Sequence, residues 1–139
     1  MSPAISARLL AVVDALPLEP GMRVLEIGCG PGVAAREVAA RIGPDGFVLA
    51  TDRSPRAIAQ AEAGSAAEIA AGRMGLRCVA AEDLALLDGE APYDLAFAVR
   101  VGAFDGRHPA AGEAALARLA TVLVPGGTLH VDGDRVVAL

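Results

Sequence analysis

An α/β domain, built as an open and mostly parallel sheet with helices on both faces, is the fold class this sequence predicts, on three observations. Short apolar runs of strand length alternate with longer stretches of helical periodicity along the chain. The strand-like runs are almost continuously apolar, the pattern of strands covered on both sides. Gly28, Gly30 and Gly32 stand between the first such run and a helix, at the strand end where open sheets of this kind receive ligands. Three layers are expected, with five parallel strands, right-handed crossovers and a short antiparallel C-terminal strand.

The elements follow in order. Ile5, Leu9, Val12 and Val13 recur at helical spacing between Ile5 and Ala15, and Pro17, Pro20 and Gly21 end that helix in a turn. Arg23–Ile27 is the first strand, running straight into the glycine loop and a helix over 33–42. Phe47–Ala50 is the second, closed by Asp52, after which Ser54 and Pro55 form the cap and first turn of another helix. That helix is expected to run toward Gly72, with Gly64 and Ser65 weakening its middle by about 1 kcal/mol relative to alanine. Leu76–Ala80 reads as the third strand, Asp83–Leu87 as a helical turn and Tyr93–Val99 as the fourth strand. A helix over 110–124 puts Leu116, Leu119, Ala120 and Leu123 on one face, and Pro125, Gly126 and Gly127 stop it before the fifth strand, Thr128–Val131. Asp132 and Gly133 then give a two-residue hairpin signal, so Val136–Ala138 are expected to fold back antiparallel on the fifth strand.

With 139 residues, 54% of them hydrophobic, the chain can bury a core as one domain over its whole length. The formal charge is −5 and all twelve basic residues are arginines, scattered without a basic stripe, so no nucleic-acid surface is expected. Cys29 and Cys78 lack metal-ligand spacing and read as reduced thiols. No apolar stretch approaches the roughly 18–20 residues that span a bilayer, and Arg8 and Asp14 break any signal-peptide core, so a cytoplasmic protein without a membrane partner is expected.

The glycine spacing is G-x-G-x-G, with Val33 where a dinucleotide fingerprint would need glycine or alanine, and no P-loop lysine follows. Glu26, two residues before the loop, is a carboxylate at the end of a buried strand, where it needs a partner. It suits a cationic ligand and repels a pyrophosphate. Asp52 closes the second strand some twenty residues beyond the loop, where an acidic side chain can accept from both hydroxyls of a ribose. Its plainer role is a turn residue ahead of Ser54.

These residues resemble the class I, Rossmann-like S-adenosylmethionine-dependent methyltransferases, nearest to their small-molecule branch. The resemblance is carried by VLEIGCGPG at Val24–Gly32, Asp52, SPRAIAQA from Ser54, AAEDL at Ala80–Leu84, YDLAFAVRV at Tyr93–Val101 and LVPGGTL at Leu123–Leu129. It implies S-adenosyl-L-methionine as cofactor, with Gly28 and Gly30 facing it, Cys29 between them in the loop, and Glu26 accepting from its amino-acid end. It further implies that Asp52 holds the ribose, that Arg53 packs on the adenine, and that Ala81 and Glu82 line the adenine edge. Backbone groups at Ala98 or Val99 then face the methionine moiety. The chain departs from the family at Ala80, where the family often has aspartate.

Methyl transfer from a sulfonium is an in-line displacement with an activated leaving group, so alignment and exclusion of water suffice and a general base is optional. No catalytic residue is assigned. The segment RVGAFDGRHP, from Arg100 to Pro109, should border the methyl group, and its His108 could serve as base for a hydroxyl or amine, unless the segment is simply a solvated loop before the next helix. The Asn/Asp-Pro-Pro-Tyr/Phe run of amino-methyltransferases acting on nucleic-acid bases or glutamine is absent, which leaves a small-molecule acceptor. The family fold usually ends in a further helix and a longer hairpin; a sheet lacking them exposes an edge, and pairing of two copies as a homodimer would cover it. A domain that binds S-adenosylmethionine or its demethylated product without turnover is the second reading. A nicotinamide-dependent oxidoreductase is the third, opposed by Val33 and Glu26.

Overall fold

A computed structural model describes residues 5–139. Helix α1 (Ala7–Asp14) starts at Ser6, whose hydroxyl accepts from the Leu9 amide at 3.2 Å. Then come β1 (Arg23–Ile27), α2 (Val33–Ile42), β2 (Phe47–Asp52), α3 (Pro55–Gly64), α4 (Ala66–Ala70) and β3 (Met74–Cys78). A 3-10 turn at Ala81–Asp83 leads to β4 (Tyr93–Ala98), α5 (Pro109–Val122), β5 (Leu123–Val131) and β6 (Arg135–Ala138). The sheet order is β3-β2-β1-β4-β5-β6. β1 to β5 run parallel, and β6 returns antiparallel to β5, pairing Leu129 with Val137 and His130 with Val136. The expected three-layer, Rossmann-like architecture is the observed one.

Alternation along the strands builds two cores. Val24, Val48, Ala50, Leu95 and Phe97 face α1, α2 and α3, meeting Val13, Ala35, Val38, Ile42 and Ala61. Leu25, Leu49, Ala96, Ala98 and Leu129 face the other way, onto Ala115, Leu119 and Val122 of α5 and onto Leu84. Both layers are rich in alanine, so the helices lie close to the sheet. α5 also lies close to the segment after β4: a Cβ added at Gly112 would stand 2.0 Å from the Ala103 carbonyl oxygen.

Several boundaries differ from the sequence expectation. The single helix expected to run toward Gly72 is two, α3 and α4, broken at Ser65. Ser65 is buried, and its hydroxyl accepts from the Arg36 guanidinium at 2.9 Å, a contact that crosses to α2 and favours the break. β3 begins at Met74 and ends at Cys78, two residues earlier than Leu76–Ala80 at each end, and the helical turn falls at Ala81–Asp83 ahead of the expected Asp83–Leu87. β5 starts at Leu123, so Pro125, Gly126 and Gly127 lie inside it. Tyr93 pairs with Leu123 and Leu95 with Thr128, with a register irregularity between them. Pro125 is tolerated there because a bulge asks no ladder hydrogen bond of it.

The hairpin between β5 and β6 turns at Asp132 and Gly133, with φ of 55° and 79°, the double positive φ that a type I′ turn requires. The Asp134 amide closes it onto the Val131 carbonyl at 3.2 Å, and pairing resumes at Arg135. β6 is an edge strand, with Val136 exposed. Among the described residues no helix is long and apolar enough to cross a membrane.

Candidate cofactor and acceptor cleft

A cleft of about 700 Å³ opens at the C-terminal ends of the central strands. Each side is delivered by a strand end: Gly28 after β1, Asp52 and Arg53 after β2, Ala81 and Glu82 of the 3-10 turn after β3, and Arg100 to Ala103 after β4. The far wall is the start of α5, with Arg107 and His108 before it and Ala110, Ala111 and Ala114 on its first turns.

The glycine loop follows from β1 being pressed between two neighbours. Gly28 has a φ of 74°, and a side chain on it would meet Val101 Cγ2 at 2.7 Å, so the loop needs both the left-handed backbone and the missing Cβ. The loop is tied to β2 by backbone and carboxylate together. The Cys29 amide donates to the Thr51 carbonyl at 2.8 Å, and the Gly30 amide donates to Asp52 Oδ2 at 3.0 Å. Asp52 Oδ1 accepts from the Ser54 amide at 2.9 Å. The turn role and the site role of Asp52 therefore coexist: each oxygen holds one backbone amide and keeps lone-pair capacity toward the cleft.

Glu26 shares the α1–α3 face of the sheet with Val24 and is buried. Its Oε1 has no hydrogen-bond partner among the described residues. Burial, and then the charge of Asp52, push its carboxyl up from 4.5 to about 8. Cys29 is buried as well, and its thiol is pushed up to about 12 by burial and by the Glu26 and Asp52 charges, which removes it as a nucleophile.

Of the residues expected from the sequence, Gly28, Asp52, Arg53, Ala81, Glu82 and His108 line the cleft. Glu26, Cys29 and Gly30 do not line it, but Gly30 bonds Asp52 and the other two feel its charge. Val99 packs against the α1–α3 core, and Arg100 to Ala103 are what β4 presents instead. Sequence reasoning did not single out Val101, Ala103 or the alanines of α5. Alanine carries no chemical signature, and these become visible only through the packing of α5 on the post-β4 segment.

The post-β4 segment is held from three directions. Arg100, with φ of 55°, donates its amide to Asp132 Oδ1 at 2.8 Å. The Arg107 guanidinium donates to the Arg100 carbonyl at 3.2 Å and pairs with Asp105 at 2.7 Å, which holds the Asp105 carboxyl below the usual carboxylate range. From β6, Arg135 donates to the Phe104 carbonyl.

A parallel sheet with a glycine loop after β1 and a carboxylate after β2 defines a class that comparison with known proteins confirms. A family described as a methyltransferase domain matches residues 24–127. The chain belongs to that family, the class I, Rossmann-like methyltransferases that use S-adenosyl-L-methionine. It is 38% identical over 129 residues to the trans-aconitate 2-methyltransferase of Methylobacterium nodulans, covering 91% of this chain and 43% of that protein. It is 32% identical over 129 residues to the nocamycin O-methyltransferase of Saccharothrix syringae, covering 93% and 42%. Among solved structures, a SAM-dependent methyltransferase from Aquifex aeolicus superposes with a TM-score of 0.70 at 18% identity, over 88% of this chain and 62% of that one. The chain thus spans about two fifths of the length of the curated relatives it matches.

The residues present fit the family's cofactor. An orphaned buried carboxylate oxygen on Glu26 suits a cation, and Asp52 suits a diol. Gly28 lines the cleft, with Val101 packed where its side chain would stand.

Proposed function

We propose that this domain transfers a methyl group from S-adenosyl-L-methionine to a small-molecule acceptor. In this reading the nucleoside lies along the ends of β2 and β3, with Asp52 accepting from the ribose hydroxyls and Arg53, Ala81 and Glu82 around the adenine. The ammonium end lies over the glycine loop toward Glu26, with the backbone at Arg100 and Val101 beside it. When bound, the cofactor supplies a sulfonium methyl already activated for in-line displacement. The chain's own part is to align, to exclude water and to hold the acceptor against Arg100–His108. The observation that carries the reading is the continuity of the cleft, which joins Asp52 and Gly28 to the segment after β4 in one volume. Two relatives named for small-molecule acceptors support the acceptor class.

Calorimetry with S-adenosylhomocysteine tests it. Wild type is expected to bind, and Asp52→Asn, which keeps the shape of the side chain and removes its charge, is expected to bind about thirtyfold more weakly. A thermal melt matched to wild type separates this from unfolding. Tight binding of NAD with no response to S-adenosylhomocysteine would overturn the reading. A module that binds the cofactor without turnover is distinguished by a methyl-transfer screen on the wild type. Among the described residues the outer side of β6 is unpaired, and a homodimer joined there is the proposed assembly, for which sedimentation showing only monomer at high protein concentration is the contrary result.

A further inference from the structure

We propose that Asp132, which stands outside the cleft, is a positioning residue for the cofactor: it holds Arg100 in a left-handed backbone and so seats Val101 against Gly28, where the two walls of the cleft meet. This rests on the cofactor reading above and adds a residue that touches no ligand.

Arg100 and Asp132 are the two described residues other than glycine with a left-handed backbone, each with φ of 55°, and they are bonded to each other. The Arg100 amide donates to Asp132 Oδ1 at 2.8 Å, and the Asp132 amide donates to the Ala98 carbonyl at 2.9 Å. For Asp132 the conformation is ordinary, because the type I′ turn asks for it and aspartate tolerates it. Arg100 has no such reason. A non-glycine residue of this kind persists where its surroundings fix it, and such residues gather at functional sites.

Asp132 supplies the fixing from the sheet's own frame, since Val131 just before it pairs with Ala98 of β4. The other hold on Arg100 comes from Arg107, which donates to its carbonyl but belongs to the same segment and moves with it. Beyond Arg100 the chain turns back: Val101 Cγ2 lies 2.7 Å from where a Cβ on Gly28 would stand, and the Val101 carbonyl accepts from the Phe104 amide at 3.0 Å. Gly28, Arg100, Val101 and Gly102 line the cleft, whereas Asp132 does not. Release of the Arg100 amide lets its backbone relax to a commoner conformation, and Val101 then leaves the glycine loop.

The turn provides the control. Aspartate, asparagine and glycine all suit the first central position of a type I′ turn, but only the first two carry an oxygen that can take the Arg100 amide. Calorimetry with S-adenosylhomocysteine compares wild type, Asp132→Asn and Asp132→Gly. The asparagine variant is expected to bind within about twofold of wild type and the glycine variant about tenfold more weakly. In a Val101→Ala background the same change to glycine is expected to cost only about twofold, because the contact it acts through is already gone. A general weakening of the fold would show neither the coupling to Val101 nor the rescue by asparagine. Hydrogen exchange of the wild type gives a readout free of substitutions: the Arg100 amide is expected to exchange slowly, and more slowly still with S-adenosylhomocysteine bound. Wild-type affinity in Asp132→Gly, an asparagine variant as weak as the glycine one, an undiminished loss beside Val101→Ala, or an Arg100 amide that exchanges freely whether or not the ligand is bound overturns the positioning role and leaves the cofactor site standing. A wild type that binds no S-adenosylhomocysteine overturns both.

Discussion

Replacing Glu26 with glutamine is expected to raise stability at about pH 9 by on the order of 4 kcal/mol relative to wild type, beyond any difference seen at about pH 4. Burial first, and then the Asp52 charge, raise the Glu26 carboxyl from 4.5 to about 8. The folded protein therefore keeps a proton that the unfolded chain has released. Stability contributed by the neutral carboxyl is complete below about 4.5 and is lost progressively as the pH climbs to about 8. Glutamine keeps the shape and has no proton to lose, so the variant lacks that descent. Any fixed cost of the added amide shifts its curve without tilting it. Urea midpoints of both proteins across this range read the difference directly, and parallel profiles would refute it. Cofactor binding gives a second readout. A cation beside Glu26 draws the proton off, so calorimetry of S-adenosylhomocysteine in buffers of different ionisation enthalpy is expected to show proton release by wild type and none by Glu26→Gln.

Gly112→Ala is expected to cost about 2–3 kcal/mol, a sign opposite to helix propensity, which by itself favours alanine by about 1 kcal/mol. The new Cβ would stand 2.0 Å from the Ala103 carbonyl oxygen and 3.2 Å from its carbon. Both are backbone atoms, so no side-chain rotation relieves the overlap. Either α5 lifts from the sheet, unpacking Ala115 and Leu119, or the post-β4 segment moves and carries the cleft wall with it. Chemical denaturation measures the loss. An alanine variant as stable as wild type would mean that the close approach of α5 to Ala103 is not a constraint on the fold.

The parts legible in the sequence were those governed by local rules. β1, the glycine loop and α2 follow from apolar character and glycine spacing, and the start of α3 from Ser54 and Pro55, where the Ser54 hydroxyl accepts from the Ala57 amide at 3.2 Å. The returning β6 follows from Asp132 and Gly133. Less legible were features decided by distant contacts. Pro125, Gly126 and Gly127 read as the end of a helix, yet pairing of Leu123 with Tyr93 carries the strand through them as a bulge. The break at Ser65 involves Arg36, 29 residues away. In the cleft, acidic and glycine positions stood out because their chemistry is unusual at strand ends, whereas the role of Val101 against Gly28 exists only in three dimensions.

The tip of the β5–β6 hairpin also acts at a distance from its own strands. Asp132 holds the amide of Arg100, and Arg135 holds the carbonyl of Phe104, so the C-terminal hairpin braces the segment after β4 that walls the cleft. Glu26, Gly28, Gly30 and Asp52, by contrast, come from one continuous stretch of chain. The two sides still meet, because Val101 of the segment after β4 packs over Gly28. A change in the hairpin is therefore felt in the wall of the cleft after β4, although the hairpin itself lies outside that cleft.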